Sequence, residues 1–165
     1  MKILIIALPR TGSSTLLKTT SVKYKLKPIF EPFDGTDRVK YNSSMKNVVV
    51  KTILGQHPQI ENLIKDFDKI ILLSRKNLKE CAESYSYFRY YKDNGFSSHT
   101  PYLWEETPNF DECYKIIIEC NDTLKILSKK LNIDITYYED LYDLNSSDRL
   151  RIGDKDTFKK NTKII

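Results

Sequence analysis

The fold is decided by the first fifteen residues, Met1-Lys-Ile-Leu-Ile-Ile-Ala-Leu-Pro-Arg-Thr-Gly-Ser-Ser-Thr15. The apolar run from Ile3 to Leu8 has the length of a strand that is buried on both faces, and Leu16-Leu17-Lys18 favours the start of a helix. A strand that passes through a tight turn into a helix leaves the backbone N–H groups of the helix start facing outward, where an anion can bind. This segment therefore predicts a phosphate-binding loop at the end of the first strand.

The turn itself has the side chains that such a loop needs. Gly12 permits a tight backbone conformation and a close approach to a ligand, and Arg10 adds a cation just before it. Four hydroxyl groups add donors beside the positive end of the helix dipole, namely those of Thr11, Ser13, Ser14 and Thr15. A phosphate or a sulfate ester fits this set of donors.

The loop departs from the pattern that binds nucleoside triphosphates. That pattern, G-x-x-x-x-G-K-[ST], has a lysine directly after its second glycine. Here Ser13 follows Gly12, and Ala7 stands where the first glycine belongs. The departure disfavours an ATPase or a kinase. An ordinary strand-to-helix turn capped by Ser13 or Ser14 stays open from this segment alone.

The block Pro9-Arg-Thr-Gly-Ser-Ser-Thr15 resembles the 5'-phosphosulfate loop of sulfotransferases that use 3'-phosphoadenosine 5'-phosphosulfate (PAPS). Three later segments resemble further motifs of the family, in the family's order. In Ile70-Ile-Leu-Leu-Ser-Arg-Lys-Asn-Leu-Lys-Glu-Cys-Ala-Glu-Ser84 the resemblance implies that Arg75 and Ser84 bind the 3'-phosphate. When the spacing to Ser84 is counted from Lys76 instead of Arg75, it matches that of members that carry two adjacent basic residues. Without the first motif, these would equally be a solvated arginine and a serine on an amphipathic helix.

The remaining two matches are strand ends. Asn47-Val-Val-Val-Lys-Thr52 resembles the central strand whose lysine lies near the transferred sulfonate, which implies that role for Lys51. Ile53 follows, where cytosolic small-molecule members have a catalytic histidine, and His57 is a second candidate for the missing base. Ile133-Asp-Ile-Thr-Tyr-Tyr-Glu-Asp-Leu141 resembles a recurrent strand-end segment, which implies a structural tie between the last strand and the nucleotide-binding core.

The resemblance offers a carboxylate as the general base instead. Members that lack the histidine use a glutamate after the first helix, which corresponds to Glu31 in Lys27-Pro-Ile-Phe-Glu-Pro-Phe33. A carboxylate between Phe30 and Pro32 would be partly withdrawn from water, which makes it a better proton acceptor. The alternative is that Glu31 only pairs with a basic neighbour. Asp34 is a further candidate for the base.

Two segments are candidates for contacts with the substrates. The turn-rich stretch from residue 93 to 109 is too long for a simple connector, and it predicts acceptor contacts from His99, Tyr102 and Trp104, although Trp104 could equally anchor a surface loop. Near the end of the chain, Arg149-Leu-Arg-Ile-Gly153 resembles the basic loop that closes over the 3'-phosphate, which implies contacts from Arg151 and Gly153.

The composition sets the broad class. The 165 residues, of which 40% are hydrophobic and 30% charged, predict one globular domain, and the net charge of +5 suits an anionic cofactor without indicating a nucleic-acid partner. Three cysteines without metal-ligand spacing predict reduced thiols. The apolar runs are shorter than the roughly 20 residues of a membrane span. We expect a cytoplasmic protein without a signal peptide and without a metal site.

The sequence thus predicts a single α/β domain over residues 1–165, a three-layer α/β/α fold of the P-loop nucleotide-binding type. Its parallel sheet has about five strands, at Lys2 to Leu8, Pro28 to Glu31, Asn47 to Thr52, Lys69 to Ser74 and Ile133 to Tyr138. The apolar spacing also predicts helices over Ile60 to Phe67 and Phe110 to Leu131, the second with an inward face of Phe110, Tyr114, Ile117, Leu124 and Leu131. The resemblance implies in-line transfer of a sulfonate from PAPS to a hydroxyl or amine, with adenosine 3',5'-bisphosphate as product. A nucleotide or nucleoside kinase and an inactive nucleotide-binding module are the alternatives. The identity of the acceptor and the oligomeric state are left open by the sequence.

Overall fold

The computed structural model describes residues 1–33, 40–56, 59–93 and 109–141 of the chain. Within these residues the chain forms five strands and five helices. In chain order they are β1 (Lys2–Ala7), α1 (Ser13–Tyr24), β2 (Lys27–Phe30), β3 (Val48–Ile53), α2 (Ile60–Ile64), β4 (Lys69–Ser74), α3 (Leu78–Asp93), α4 (Phe110–Leu131), β5 (Ile135–Tyr137) and α5 (Tyr138–Leu141).

The five strands form one parallel sheet in the order β2-β3-β1-β4-β5. The central strand is β1, and every residue from Ile3 to Leu8 is fully buried, as the unbroken apolar run predicts. In the register of the sheet, Ile5 lies beside Lys51 on β3 and beside Ile71 on β4. The first strand is therefore hydrogen-bonded on both sides and packed on both faces.

Alternate residues of β1 enter two separate cores. Ile3, Ile5 and Ala7 pack on one face with Leu16 and Leu17 of α1 and with residues of α5. On the other face, Leu4 and Ile6 pack with residues of α2 and α4, namely Leu63 and Leu124. Helices therefore cover both faces of the sheet, and the predicted three-layer α/β/α fold is confirmed.

The structure differs from the sequence prediction at the ends of some elements. The last strand spans Ile135–Tyr137; it begins two residues later than predicted, and it ends before Tyr138 because that residue already starts α5. Helix α2 ends at Ile64, although the apolar pattern continues to Phe67, which packs against the core from outside the helix. Tyr114 was predicted to face inward on α4 but is exposed, and Cys113 is buried beside it.

The order of the strands places the end of β1 where ligands bind in such folds. From β1 the chain fills the β2–β3 side of the sheet first, and it then crosses to β4 and β5 on the other side. In open parallel sheets, the crevice beyond the carboxyl ends of the strands at such a reversal is the usual ligand site. The glycine-containing loop that follows β1 lies at this point. None of the helices in the described ranges is long and apolar enough to cross a membrane.

A buried polar pair joins the sheet to α4 at the end of β4. The Ser74 hydroxyl donates to Asn121 Oδ1 at 2.9 Å, and both residues are buried. We expect Asn121→Ala to lower the free energy of unfolding by about 2 kcal/mol, because it leaves the Ser74 hydroxyl without its acceptor. Urea denaturation measures this loss. Asp122→Ala, at the exposed neighbouring position, is the control and should cost much less; an equal loss for both variants would contradict the importance of the pair.

Candidate functional site

The loop between β1 and α1 adopts the conformation that an anion-binding turn needs. Gly12 has φ 68° and precedes the first residue of α1, and its carbonyl accepts the N–H groups of Thr15 and Leu16 at 3.0 and 3.1 Å. These are the first hydrogen bonds of the helix, so the N–H groups of Ser13 and Ser14 lie before the first acceptor that the helix provides. Arg10 also has a positive φ, 60°, which is uncommon for a residue with a side chain.

Two hydrogen bonds fix the loop to the body of the protein. The Thr11 hydroxyl donates to the Leu8 carbonyl at 2.8 Å, and Thr11 is fully buried. The Cys81 thiol donates to the Pro9 carbonyl at 3.0 Å from helix α3. The hydroxyl of Thr11, which the sequence assigned to the ligand, thus holds the shape of the loop in this structure. Ser14, in contrast, is exposed at the start of α1.

Arg10 and Ser84 are brought together by the fold. Arg10 Nε donates to Ser84 Oγ at 3.1 Å, and the guanidinium carbon of Arg10 lies 5.3 Å from the centroid of the Phe88 ring. The loop after β1 and helix α3, which lie more than seventy residues apart in sequence, therefore meet at two residues that the resemblance assigns to the cofactor. Within the described residues, the hydrogen-bond partner of Ser84 is Arg10 rather than Arg75.

Lys51 lies at the centre of the candidate site. Its side chain is only 3% exposed, and Nζ donates to Ser14 Oγ at 3.0 Å and contacts Glu31 Oε1 in an ion pair. One buried cation thus joins the start of α1 to the residue that the sequence predicts as the base. A buried ammonium needs such partners, because its transfer from water is costly when it is not paired.

Glu31 is held in an unusual conformation beside this cation. It follows β2 with φ 40°, and its N–H donates to the Lys51 carbonyl at 3.0 Å. Non-glycine residues in the left-handed region are strained by about 1–3 kcal/mol, and such residues cluster at functional sites. The side chain is 23% exposed, so its carboxylate is both paired and within reach of a ligand.

The structure adds Gln56 to this group, which the sequence did not predict. Gln56 Nε2 donates to Glu31 Oε2 at 3.0 Å, and Gln56 Oε1 accepts the N–H of Ile53 at 2.9 Å. The turn that returns Gln56 to the end of β3 contains Gly55 at φ 93°. In the sequence, Gly55 could have indicated this turn, because a glycine just after a strand predicts a tight turn. The pairing of Gln56 with Glu31 depends on the alignment of β2 with β3.

Arg75 lies at the end of β4 between two carboxylates. Its Nη2 is 2.9 Å from Glu80 Oε2 and its Nε is 3.6 Å from Glu139 Oε1, while the guanidinium carbon lies 5.0 Å from the centroid of the Tyr138 ring. The side chain is 11% exposed. Arg75 therefore lies at the carboxyl edge of the sheet, where the sequence places it. The two carboxylates and the aromatic ring around it were not indicated by the sequence.

The segment Tyr138-Glu-Asp-Leu141 connects β5 to the start of α3. Glu139 accepts the backbone N–H of Lys76 at 2.9 Å and that of Asn77 at 3.2 Å, and Asp140 forms an ion pair with Lys76. The contact with Asp140 raises the pKa of Lys76 above its ordinary value. The carboxylates of this segment thus join the end of the last strand to the backbone around Arg75.

The other residues that the sequence singled out lie outside the described residues. These are Asp34, His57, His99, Tyr102, Trp104, Arg151 and Gly153. The part of the chain that the structure describes contains no group of three or more His, Cys, Asp or Glu residues that could hold a metal ion.

A scan against protein-family models and a search of curated proteins find no match for this chain.

Cys81, which holds the loop at Pro9, is expected to weaken the protein at alkaline pH. Burial raises the pKa of the Cys81 thiol from its ordinary value of 9.0 to about 12. Above the lower value the unfolded chain releases the thiol proton while the folded chain retains it. The free energy of unfolding therefore falls with rising pH, by at most about 1.4 kcal/mol per pH unit for one such group.

Replacement by serine tests this expectation, because serine retains a donor for the Pro9 carbonyl and does not titrate in this range. Urea denaturation at about pH 8 and about pH 10 should show an alkaline loss that is smaller in Cys81→Ser by about 1 kcal/mol. Contributions from other titrating groups cancel in the difference between the two proteins. Equal losses in both proteins would show that the Cys81 thiol does not titrate differently in the folded state.

Proposed function

We propose that this protein transfers a sulfonate group from PAPS to a hydroxyl or amine acceptor. The observation that carries the proposal is the buried Lys51, whose Nζ contacts Ser14 of the phosphate loop on one side and the Glu31 carboxylate on the other. A cation and a proton acceptor thereby stand next to each other at the start of α1. Sulfonate transfer from a phosphosulfate needs both groups at one place.

The loop after β1 would hold the 5'-phosphosulfate. The N–H groups at the start of α1 and the exposed Ser14 hydroxyl supply donors, and the positive end of the helix dipole favours an anion there. Arg10 adds a positive charge to the same loop and is held against Ser84 of α3 at 3.1 Å. The loop and α3 would therefore bind the nucleotide as one unit.

The 3'-phosphate would bind at Arg75 and Ser84, with Lys76 beside them. The surroundings of Arg75 fit an additional anion, because its guanidinium has hydrogen-bonding capacity that its neighbours do not fill. Nε is buried without a hydrogen-bond partner among the described residues, and the nearest oxygen of Glu139 is 3.6 Å away. Guanidinium groups bind phosphate through two parallel N–H···O bonds, which gives geometric specificity as well as affinity.

The residues would divide the chemistry between them. An acceptor hydroxyl or amine attacks sulfur in line, a new bond to sulfur forms, and the bond between sulfur and the bridging oxygen of the phosphosulfate breaks. Glu31 takes the proton of the acceptor. Lys51 and Arg10 stabilise the negative charge that grows on the bridging oxygen, which leaves with adenosine 3',5'-bisphosphate. Gln56 orients Glu31 through the hydrogen bond at 3.0 Å.

An acceptor screen with PAPS tests the proposal. The protein is incubated with PAPS and a panel of sugars, lipid alcohols, tyrosine peptides and small alcohols and amines, and products are followed by mass spectrometry. We expect one acceptor class to gain a sulfonate group, with an equal amount of adenosine 3',5'-bisphosphate released. Phosphate transfer from ATP with magnesium would instead identify a kinase. Nucleotide binding without transfer to any acceptor class would favour an inactive binding module.

A further inference from the structure

We propose that Glu80 and Glu139 act on Arg75 in opposite ways: Glu80 competes with the nucleotide 3'-phosphate for the guanidinium, and Glu139 holds that guanidinium in position. Glu80 would then lower the affinity for the 3'-phosphate, because the phosphate must displace the Glu80 carboxylate from Arg75. This inference rests on the proposed function, because it assumes a nucleotide that carries a 3'-phosphate. The two carboxylates are distinguished by their exposure, 34% for Glu80 and 16% for Glu139, and by the backbone N–H groups that Glu139 binds.

Glu139 is fixed by the backbone around it. Its two oxygens accept the N–H groups of Lys76 and Asn77 at 2.9 and 3.2 Å, and its side chain is 16% exposed. These N–H groups belong to the start of α3, where backbone donors lack partners within the helix. Removal of the Glu139 carboxylate would leave them unsatisfied. Glu139 therefore stays in place when a ligand arrives, and it is a positioning residue for Arg75.

Glu80 is the more exchangeable partner. It contacts Arg75 Nη2 at 2.9 Å, and its side chain is 34% exposed. Partly exposed ion pairs of this kind are weak, since both partners can be hydrated when they separate. A phosphate has more negative charge than a carboxylate and offers more acceptor oxygens, so it can replace Glu80 on the guanidinium.

The start of α3 explains why Glu80 turns toward Arg75. Asn77 precedes the helix and its Oδ1 accepts the Glu80 N–H at 3.2 Å, which is one half of a capping box. In the other half, the carboxylate of the third helical residue would accept the N–H of the capping residue. Glu139 already occupies the Asn77 N–H at 3.2 Å. The Glu80 carboxylate is thus directed to Arg75 instead.

The test compares two ligands that differ only in the 3'-phosphate, adenosine 3',5'-bisphosphate and adenosine 5'-monophosphate, by calorimetric titration. Glu80→Gln should bind the bisphosphate about threefold to fivefold tighter than the wild type, the range of a partly exposed ion pair. Glu139→Gln should bind it about tenfold more weakly. Affinity for the monophosphate should stay within about twofold in both variants.

Glu112→Gln is the matched control, because Glu112 also forms an ion pair with an arginine of α3, Arg89, which has no part in the proposed nucleotide site. It should leave the ratio of the two affinities nearly unchanged. Circular dichroism shows whether Glu139→Gln folds, and Glu139→Asp, which retains a carboxylate, should recover part of the ratio. Glu80→Gln tests the competition independently of the Glu139 variants.

A different set of affinities would contradict each part of the inference. If the wild type prefers the bisphosphate but Glu80→Gln binds it no tighter, the competition is wrong and the proposed function is unaffected. If Glu139→Gln weakens both ligands equally, Glu139 has only a structural role. If the wild type binds the bisphosphate no better than the monophosphate, both this inference and the assignment of a 3'-phosphate nucleotide are overturned.

Discussion

Replacing Glu31 by glutamine is expected to lower the turnover of sulfonate transfer by about 10²–10³-fold, the size of a general-base contribution. Glutamine has the same shape and retains an oxygen that can accept from Lys51, but it cannot take a proton. The affinity for adenosine 3',5'-bisphosphate should therefore stay within about threefold of the wild-type value. Steady-state kinetics with the acceptor found in the screen measures the first effect, and calorimetry measures the second.

Glu61→Gln is the matched control for this substitution. Glu61 lies on α2, is exposed and pairs with Lys130, so the same chemical change there should leave turnover unaltered. A normal turnover in Glu31→Gln would contradict the assignment of the base. The remaining candidates from the sequence would then be Asp34 and His57.

Lys51→Met is expected to reduce turnover by a similar factor, about 10²–10³-fold, because it removes a buried cation next to the developing charge. Its effect on stability should also be measurable. The substitution leaves the Glu31 carboxylate without its ammonium partner, and we expect the free energy of unfolding to fall by about 1–3 kcal/mol. Activity is therefore compared at a temperature where both proteins are folded.

The double variant Glu31→Gln/Lys51→Met separates the two effects of Lys51. It removes both charges, so the stability lost in Lys51→Met should be largely recovered, while turnover should fall below that of Glu31→Gln alone. Lys69→Met is the control at the opposite end of the sheet, where Lys69 begins β4 and contacts Tyr24. If the double variant turns over as fast as Glu31→Gln alone, Lys51 has a structural role and does not stabilise the reaction.

The sequence was sufficient for the elements whose pattern is local. The unbroken apolar run from Ile3 to Leu8 predicted the central strand, and the periodic helix Phe110–Leu131 has the predicted bounds. The prediction for Tyr114 was wrong because position alone does not fix which side of an apolar stripe is covered. Ile117 and Leu124 of the predicted inward face are buried, and at its first turn the buried residue is Cys113 instead of Tyr114.

Three members of the candidate site were predictable, but Gln56 and the pairings between side chains were not. Parallel strands end at one edge, so Glu31, Lys51 and Arg75 could be expected near the loop. The bonds of Lys51 to Ser14 and of Gln56 to Glu31 depend on the register of β2 and β3 and on a left-handed residue at Glu31. The contacts of Glu139 with the start of α3 join residues more than sixty positions apart. The spacing of residues along the sequence does not indicate such contacts.

The assignment of Arg75 to a 3'-phosphate is tested by a calorimetric titration of the wild type and of Arg75→Ala with adenosine 3',5'-bisphosphate and with ATP plus magnesium. We expect the wild type to bind the bisphosphate more tightly than ATP, and Arg75→Ala to lose about tenfold or more of that affinity while its weak binding of ATP is unchanged. Tighter binding of ATP with magnesium, or equal bisphosphate affinity in the two proteins, would contradict the assignment of this site to a 3'-phosphate nucleotide.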